Sequence, residues 1–254
     1  MAKKGKTYAL LVVYGYPAKI ENRWNTFLDA LNIPKGQSWV LDNHPQPSVH
    51  CHHGSNAQLE FSGYAEILEL FKRDCPAISS NDRIVLFNDT LFAHHWTYGW
   101  QRWMKTFAPR LPVGVHGDGR IEPIHIKGKP LKIIASWHFV IVGTQALRAF
   151  HHALNAVCDA FEEPIKEPGY AAYLAHYLRP RYFGGVTQRF TPHSDAYQAK
   201  QKAIWAEHRL SMALDQSEML TPYGQVLYQG LHGIDRAFSA WRRFRNIWAK
   251  RVVG

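Results

Sequence analysis

A polar run that follows an apolar run near the middle of the chain carries the side chains best suited to chemistry. Residues 84–87 are Ile-Val-Leu-Phe, and Asn88, Asp89 and Thr90 come directly after them. Four apolar residues in succession predict a strand that is buried on both faces. Because a sheet interior does not accommodate a free carboxylate, we expect Asp89 to emerge where this strand ends. In open α/β sheets, that edge is where ligands bind.

Asp89 has the chemistry of a ligand for a divalent cation. Mg²⁺ and Mn²⁺ prefer oxygen ligands and accept further oxygens from a bound diphosphate. In such a site Asn88 and Thr90 would orient the bound molecule or a metal-bound water. The alternative is that Asn88 and Asp89 only end the strand and cap a turn.

A second polar group precedes this strand. Asn56 and Glu60 are four residues apart, a spacing that puts two residues on one face of a helix. They lie where a small-residue loop enters a helix that is predicted over residues 59–71. Gly54 and Ser55 come just before and offer backbone N–H groups near the helix start. These residues either help to bind a ligand or form an N-terminal cap, and the two functions are compatible.

Strands alternate with helices over the first two thirds of the chain. Apolar runs and apolar spacings predict strands at residues 8–14, 38–41, 83–88 and 132–142, and helices at residues 20–31, 59–71, 94–107 and 144–161. Such alternation is typical of an α/β fold with a mainly parallel sheet flanked by helices. Beyond Pro164 the strand signal fades. We therefore predict a first domain over residues 1–164 and a helical C-terminal extension over residues 165–254.

Three segments resemble, in order, motifs of the rhamnan-synthesis glycosyltransferases, which are nucleotide-sugar-dependent enzymes of GT-A type. Asn56 followed by Glu-Phe-Ser-Gly-Tyr at residues 60–64 is similar to the family's Asn…Asp-Phe-Gly-Ala-Tyr pattern. Asn-Asp-Thr at residues 88–90 resembles its Asn-Asp-Ser after a strand. Gly-Asp at residues 117–118 and Ser-Trp-His-Phe-Val-Ile at residues 136–141 resemble its Thr-Asp-Ser and Ser-Tyr-Phe-Leu-Val stretches.

The resemblance covers about residues 8–175 and implies a GT-A-like domain that binds a nucleotide sugar. The implied activity is transfer of a sugar from a nucleotide-diphosphate donor to a surface polysaccharide or lipid-linked saccharide, with inversion at the anomeric carbon. The implied donor-binding residues are Tyr14, Asn56, Glu60, Asn88, Asp89 and Ser136. The chain departs from the family pattern in two respects, since Glu60 stands where Asp is usual and no full Asp-x-Asp motif is present.

Sugar transfer of this kind makes two chemical demands. The departing diphosphate gathers negative charge, which a divalent cation or preorganised donors must stabilise, and Asp89 is the predicted ligand for Mg²⁺ or Mn²⁺. An inverting transferase also needs a carboxylate base for the acceptor hydroxyl. The candidates are Asp118, between two glycines in a predicted flexible loop, and Glu167, just before Pro168 and Gly169. Asp118 is preferred, and the alternative for each is a simple turn residue.

Residues 235–253 have the pattern of a basic amphipathic helix. Apolar residues recur at three- and four-residue spacing, and six basic residues against the single acid Asp235 give this stretch a charge of +5. Such a helix is typical of binding in the plane of an anionic membrane surface, which would suit a lipid-linked acceptor. Alternatively, its Trp and Phe side chains pack onto the domain while its arginines face solvent.

Two further runs allow more than one interpretation. The aromatic and histidine side chains of residues 94–100 either stack on sugar rings or pack in a core. The His-Cys-His-His run at residues 50–53 suggests zinc, but no second ligand pair follows at a recognised spacing, so we do not predict a zinc site.

The charge of the chain predicts an anionic partner. The formal net charge of +10 over 254 residues favours nucleotide phosphates, an acidic membrane surface or nucleic acid. Because no apolar run reaches about 18 residues and the N-terminus lacks a secretory pattern, we expect a cytoplasmic protein, peripheral on the inner face of the membrane. The three cysteines, at unrelated spacings, are expected to be reduced thiols.

Two other classes of function stay open. The incomplete acidic motif fits a catalytically inactive module that binds saccharide or a partner enzyme. The basic charge fits a nucleic-acid-binding protein, but the basic residues concentrate at the C-terminus instead of interleaving with aromatics, so we expect no nucleic acid partner. The chain has no Gly-x-Ser-x-Gly, dinucleotide or P-loop motif, which argues against the common hydrolase, NAD and NTPase classes.

Overall fold

The computed structural model describes residues 5–92, 101, 104–106, 108–126, 128–178 and 194–220. The predicted basic helix at residues 235–253 and the aromatic run at residues 94–100 lie outside these residues, as does most of the predicted helix at residues 94–107. The functions predicted for them are therefore not addressed by the fold.

A six-stranded mixed sheet forms the centre of the protein. The strands in chain order are β1 (Thr7–Val13), β2 (Ser38–Asp42), β3 (His52–His53), β4 (Ala57–Leu59), β5 (Arg83–Asn88), β6 (Gly114–His116), β7 (Gly119–Ile126), β8 (Lys129–Ile134) and β9 (His138–Val142). The sheet has the order β3-β2-β1-β5-β9-β6. The first four strands of this order run parallel, and β9 runs antiparallel to β5 and β6. The prediction of an α/β fold with a mainly parallel sheet is confirmed.

Helices cover both faces of this sheet. They include α1 (Ala18–Leu31) on one face and α2 (Glu60–Asp74), α3 (Thr144–Asp159) and α5 (Asp195–Gln216) on the other. A further helix, α4 (Tyr170–Tyr177), packs in a separate cluster with β7, β8 and α5. Side chains alternate between the faces of a strand. Even-numbered residues of β1, from Tyr8 to Val12, pack in a core with α2, α3 and α5, whereas odd-numbered residues, from Ala9 to Val13, pack against α1. None of the described helices is long and apolar enough to cross a membrane.

The strand predicted at residues 132–142 is interrupted, so this prediction was wrong in part. It divides at a turn around Ser136 into β8 and β9. β8 pairs with β7 in a separate two-stranded sheet, whereas β9 joins the main sheet. The apolar run could not reveal the break, because the break depends on hydrogen bonds that Ser136 makes with α2 and α5.

The register of the parallel strands brings three strand ends together. Val12 of β1 lies opposite Asn88 of β5, and Val13 lies opposite Asp42 of β2. The residues that follow these strands therefore leave the sheet at one edge. This edge is the position that the sequence predicts for a ligand.

Gly63 in α2 permits a close approach of that helix to the sheet, and we predict that Gly63→Ala destabilises the protein. An added Cβ would lie 2.6 Å from Val12 Cγ1 and 2.9 Å from Asn43 Nδ2, and both residues are buried. Because both contacts are shorter than 3.0 Å, the overpacking should cost close to the upper end of about 1 to 3 kcal/mol. Alanine gains roughly 1 kcal/mol over glycine in a helix, so the free energy of unfolding should fall by about 2 kcal/mol. Urea denaturation measures the change.

Gly36→Ala is the matched control for this substitution. No atom lies within 4 Å of an added Cβ at Gly36, so its free energy of unfolding should stay within about 0.5 kcal/mol of the wild type. A Gly63→Ala variant as stable as the wild type would contradict the close packing of α2 on β1.

Candidate functional site

A pocket of about 610 Å³ opens at the edge where β1 and β5 end. One wall comes from the strand ends and the segment before α2, and the facing wall comes from the N-terminal half of α5. The predicted donor-binding residues that line the pocket are Tyr14, Asn56, Glu60, Asn88 and Asp89. The fold therefore gathers into one site five residues that were nominated from separate segments.

Asp89 lies at the rim of the strand ends, as the sequence predicts. It is half-buried, and its Oδ2 accepts a hydrogen bond from the Tyr14 backbone N–H at 3.2 Å. Asn88 is buried, and its Oδ1 accepts a hydrogen bond from the Thr90 N–H at 3.1 Å. Asn88 thus makes the turn-capping contact of the simpler interpretation, and both Asn88 and Asp89 line the pocket.

Tyr14 presents an aromatic ring at this pocket. Its side chain is 56% exposed, although the preceding residues of β1 are buried. The ring packs edge-on against His44 at a centroid distance of 5.4 Å, and the loop behind it is held because Asp42 Oδ1 accepts the Gly15 N–H at 2.8 Å. A positioned ring of this kind offers a flat surface for a base or a sugar.

Glu60 is the first residue of α2 and carries a perturbed carboxyl group. Its Oε1 accepts a hydrogen bond from Ser136 Oγ at 3.0 Å. Burial raises the pKa of Glu60 above its ordinary value, and the nearby Glu207 carboxylate raises it further, while the hydrogen bond from Ser136 and the charge of Lys200 act in the opposite direction. Glu60 therefore binds a proton more readily in the folded protein than in an exposed position.

Ser136 connects three elements behind the pocket. Its backbone N–H donates to Glu207 Oε2 at 2.8 Å, and its carbonyl accepts a hydrogen bond from Tyr64 Oη at 2.5 Å. With its hydroxyl on Glu60, Ser136 reaches the site through Glu60 and is not itself among the lining residues. The Ser136 turn thus fixes Glu60 relative to α5.

The turn that delivers Glu60 is strained. Leu59 has φ 55° and ψ −138°, a conformation that residues other than glycine rarely adopt. Its carbonyl accepts hydrogen bonds from Asn43 Nδ2 at 3.3 Å and from Ser62 Oγ at 3.2 Å. Asn43 is 5% exposed, and among the described residues its Oδ1 has no hydrogen-bond partner. Backbone strain held in this way is characteristic of functional sites.

The segment before α2 differs from the sequence prediction in two respects. The helix begins at Glu60, so Asn56 precedes it in a left-handed conformation with φ 52° and the two residues do not share a helix face. The N–H groups of Gly54 and Ser55 are also occupied within the protein, since they donate to Asp42 O at 3.0 Å and to Glu66 Oε2 at 2.9 Å.

The two predicted bases lie away from this pocket. Asp118 belongs to the short connection between β6 and β7, and its carbonyl accepts the Ala135 N–H at 2.8 Å. This connection is closely packed, because an added Cβ at Gly117 would lie 2.2 Å from Ile134 Cγ2; it is not the open loop that the flanking glycines predict. Glu167 precedes α4, where its carbonyl accepts the Tyr170 N–H at 3.1 Å. Neither residue lines the pocket, and their catalytic role stays a prediction.

The sequence did not point to three residues that lie in the pocket or directly behind it. Asn43 comes directly after β2 and Asn88 is the last residue of β5, so the same pattern of polar residues at the end of an apolar run would have found Asn43. Lys200 and Glu207 are seven residues apart on α5. Lys200 lines the pocket, whereas Glu207 does not line it and accepts the Ser136 N–H behind it. Their spacing marks one helix face, but no motif connects that face to the strand ends.

Of the two carboxylates at the strand ends, Asp89 lines the pocket, whereas Asp42 does not line it and accepts the backbone N–H groups of Gly15, His44 and Ser48. Asp89 and the amide oxygen of Asn88 are oxygen donors of the type that Mg²⁺ or Mn²⁺ takes together with phosphate oxygens, so the residues fit such an ion. In the ranges that the structure covers, no group of three or more His, Cys, Asp or Glu side chains is placed to hold a metal. His52 and His53 form β3 and are exposed, and Cys51, Cys75 and Cys158 are free.

Comparisons with known proteins do not assign the site. No protein-family model, no curated protein and no solved structure matches the chain. The resemblance to rhamnan-synthesis glycosyltransferases therefore stays a prediction from three sequence motifs, and the function must be inferred from the residues of the pocket.

We predict that Leu59→Gly is more stable than Leu59→Ala. Both variants lose the packing of the leucine side chain against the main core, but only glycine relieves the strain at φ 55°. Glycine should therefore exceed alanine by about 1 to 3 kcal/mol in free energy of unfolding. Urea denaturation of the two variants tests this, and an alanine variant as stable as the glycine variant would refute the strain.

Ala57→Gly gives the comparison for an unstrained position in the same segment. Ala57 does not have a positive φ. Replacing it by glycine should therefore lower the free energy of unfolding by about 0.5 to 1 kcal/mol, so that alanine is the more stable residue at this position. If glycine is more stable than alanine at position 59 but less stable than alanine at position 57, the backbone strain is located at Leu59.

We predict that Glu60→Gln is more stable than the wild type at pH 7, with a difference that shrinks toward pH 4. The raised pKa means that folding favours the protonated carboxyl group. The folded protein therefore has its greatest stability below the ordinary pKa of 4.5, and it loses the contribution of Glu60 as the pH rises through the pKa of the folded state. Glutamine removes this loss. Thermal denaturation from pH 4 to pH 8 measures it, and a constant difference would contradict the account.

Glu69→Gln should show the opposite sign. Although burial acts to raise the pKa of Glu69, the hydrogen bond and charge of Lys72 lower it overall. The wild type should therefore be more stable than Glu69→Gln at neutral pH, and this advantage should disappear as the carboxyl group is protonated in acid.

Proposed function

We propose that the protein is a GT-A-type glycosyltransferase that moves a sugar from a nucleotide-diphosphate donor to a surface polysaccharide or lipid-linked saccharide, with inversion. The observation that carries this proposal is the convergence of Tyr14, Asn56, Glu60, Asn88 and Asp89 on one pocket at the carboxyl ends of the strands. The pocket volume of about 610 Å³ falls within the range of roughly 300 to 1,000 Å³ of small-ligand sites.

The proposed donor orientation follows from the chemistry of the pocket walls. Tyr14 offers an exposed ring at one side, on which a nucleobase or sugar can stack. Asp89 lies at the strand ends and would hold Mg²⁺ or Mn²⁺, which neutralises the diphosphate when bound. Asn56 and Asn88 supply side-chain amides, which donate to and accept from sugar hydroxyls.

We assign the proton-accepting function to Glu60 in place of Asp118 and Glu167, because neither of those residues lines the pocket. Glu60 and Asp89 are the nominated carboxylates that line the pocket, and a base works best when its pKa is raised toward the working pH, the direction in which burial shifts Glu60. The acceptor hydroxyl oxygen attacks the anomeric carbon and its proton passes to Glu60. The bond between that carbon and the diphosphate oxygen breaks, and the electron pair leaves with the diphosphate.

The acceptor side of the proposal depends on segments outside the described residues. The basic amphipathic pattern at residues 235–253 supports contact with an anionic membrane surface. We therefore infer that the enzyme acts at the inner face of the membrane, where a lipid-linked acceptor is presented.

We predict that nucleoside diphosphates raise the melting temperature of the wild type in the presence of Mn²⁺ and that Asp89→Asn weakens this effect. A ligand at one hundred times its Kd stabilises the folded state by about 2.7 kcal/mol. Loss of the carboxylate should raise the apparent Kd roughly ten-fold or more, the effect of removing a bond to a charged group. Uridine, thymidine and guanosine diphosphates form the panel.

Asp29→Asn, on the exposed side of α1, is the control and should bind as the wild type does. If no nucleoside diphosphate shifts the wild type, the transferase proposal fails. If Asp89→Asn binds like the wild type, Asp89 only ends a strand. Binding of nucleotide sugars without any release of nucleoside diphosphate would instead support a catalytically inactive saccharide-binding module.

A further inference from the structure

The facing wall of the pocket is one surface of α5. Ala196, Ala199, Lys200 and Ala203 all line the pocket, and their spacing of three, four and seven residues puts them on a single helix face. The alanines occupy little volume, so this wall leaves room for a ligand. Lys200 is the long and charged side chain of this face.

The carboxylates of the pocket would repel a diphosphate, and Lys200 is placed to offset this repulsion. Glu60 and Asp89 place two carboxylates on the strand side of the site, and a diphosphate brought beside them would be repelled. Lys200 is a cation on the opposite wall, and it is close enough to Glu60 for its charge to act on that carboxyl group. Ala196 also lies in the first turn of α5, so the positive end of the helix dipole borders the same space.

Other lysines of this region take part in ion pairs within the fold. Lys202 pairs with Glu162, and Lys132 donates to Asp215 Oδ1 at 2.8 Å. For Lys200, by contrast, the described part of the chain supplies no hydrogen bond or ion pair. Its half-buried side chain is therefore available to a ligand.

We propose that Lys200 binds the diphosphate of the donor, so that the ligand is held between the strand ends and α5. This inference rests on the proposed function and adds a cation supplied by the protein to the cation predicted at Asp89. A lysine ammonium is a compact point charge with three donors, which suits phosphate oxygens. In the transfer step, Lys200 would stabilise the negative charge that gathers on the departing diphosphate.

The test compares Lys200→Gln, Lys200→Arg and the control Lys202→Gln. Calorimetric titrations with uridine, thymidine and guanosine diphosphates, with the corresponding nucleosides and with inorganic pyrophosphate are made at constant Mn²⁺. Lys200→Gln should raise the Kd of the diphosphates and of pyrophosphate roughly ten-fold or more and leave the Kd of the nucleosides unchanged. Lys200→Arg, which keeps the charge, should retain most of the affinity, and Lys202→Gln should bind as the wild type does.

The outcomes separate this inference from the function on which it rests. If the wild type binds a nucleoside diphosphate and Lys200→Gln binds it equally well, the assignment of Lys200 is wrong while the proposed function stands. An equal loss for nucleosides and diphosphates would also overturn it, since that loss indicates a change in pocket shape. If the wild type binds no nucleoside diphosphate or pyrophosphate, both proposals fail. Melting temperatures without ligand confirm that each variant is folded.

Discussion

β1 lies between β2 and β5 in the sheet, and both pairings are parallel, so three neighbouring strands end at one edge. This register brings Tyr14, Asn43 and Asn88 to the same edge of the sheet, although they are distant in sequence. Two hydrogen bonds then connect the segments at this edge: Asp89 accepts the Tyr14 N–H, and Asp42 accepts the Gly15 N–H. A shift of one residue in either pairing would turn these side chains toward opposite faces of the sheet.

The energetic cost of the site is concentrated around α2. Glu60 carries a carboxyl group whose burial raises its pKa, and Leu59 before it adopts a strained backbone conformation. Neither feature favours folding. They persist because Asn43 and Ser62 hold the Leu59 carbonyl and because Ser136 donates to Glu60. A sequence selected for stability alone would avoid both features, which is the physical reason to regard this turn as functional.

The features that the sequence predicted are those with local signals. The apolar run at residues 84–87 requires Asp89 to leave the sheet, and the parallel α/β pattern requires it to leave at the edge where other strands end. Asn88 and Asp89 were therefore found from a few residues of context. Glu60 was found from a motif, although the helix face it was expected to share with Asn56 does not exist, because Asn56 precedes the helix.

The features that the sequence did not predict depend on contacts between distant segments. Lys200 and Glu207 belong to a helix that meets the strand ends only through tertiary packing. Ser136 interrupts an apolar run because of its partners on α2 and α5, which periodicity does not reveal. Asp118 was expected to be mobile because of its glycine neighbours, yet Gly117 is there to permit close packing on Ile134.

The most direct test of the central claim is a crystal structure of the protein with Mn²⁺ and the nucleoside diphosphate that binds best from the panel. The account predicts that the diphosphate lies in the pocket between Asp89 at the strand ends and Lys200 on α5. A nucleotide bound elsewhere on the surface, or a diphosphate in contact with neither residue, would contradict it.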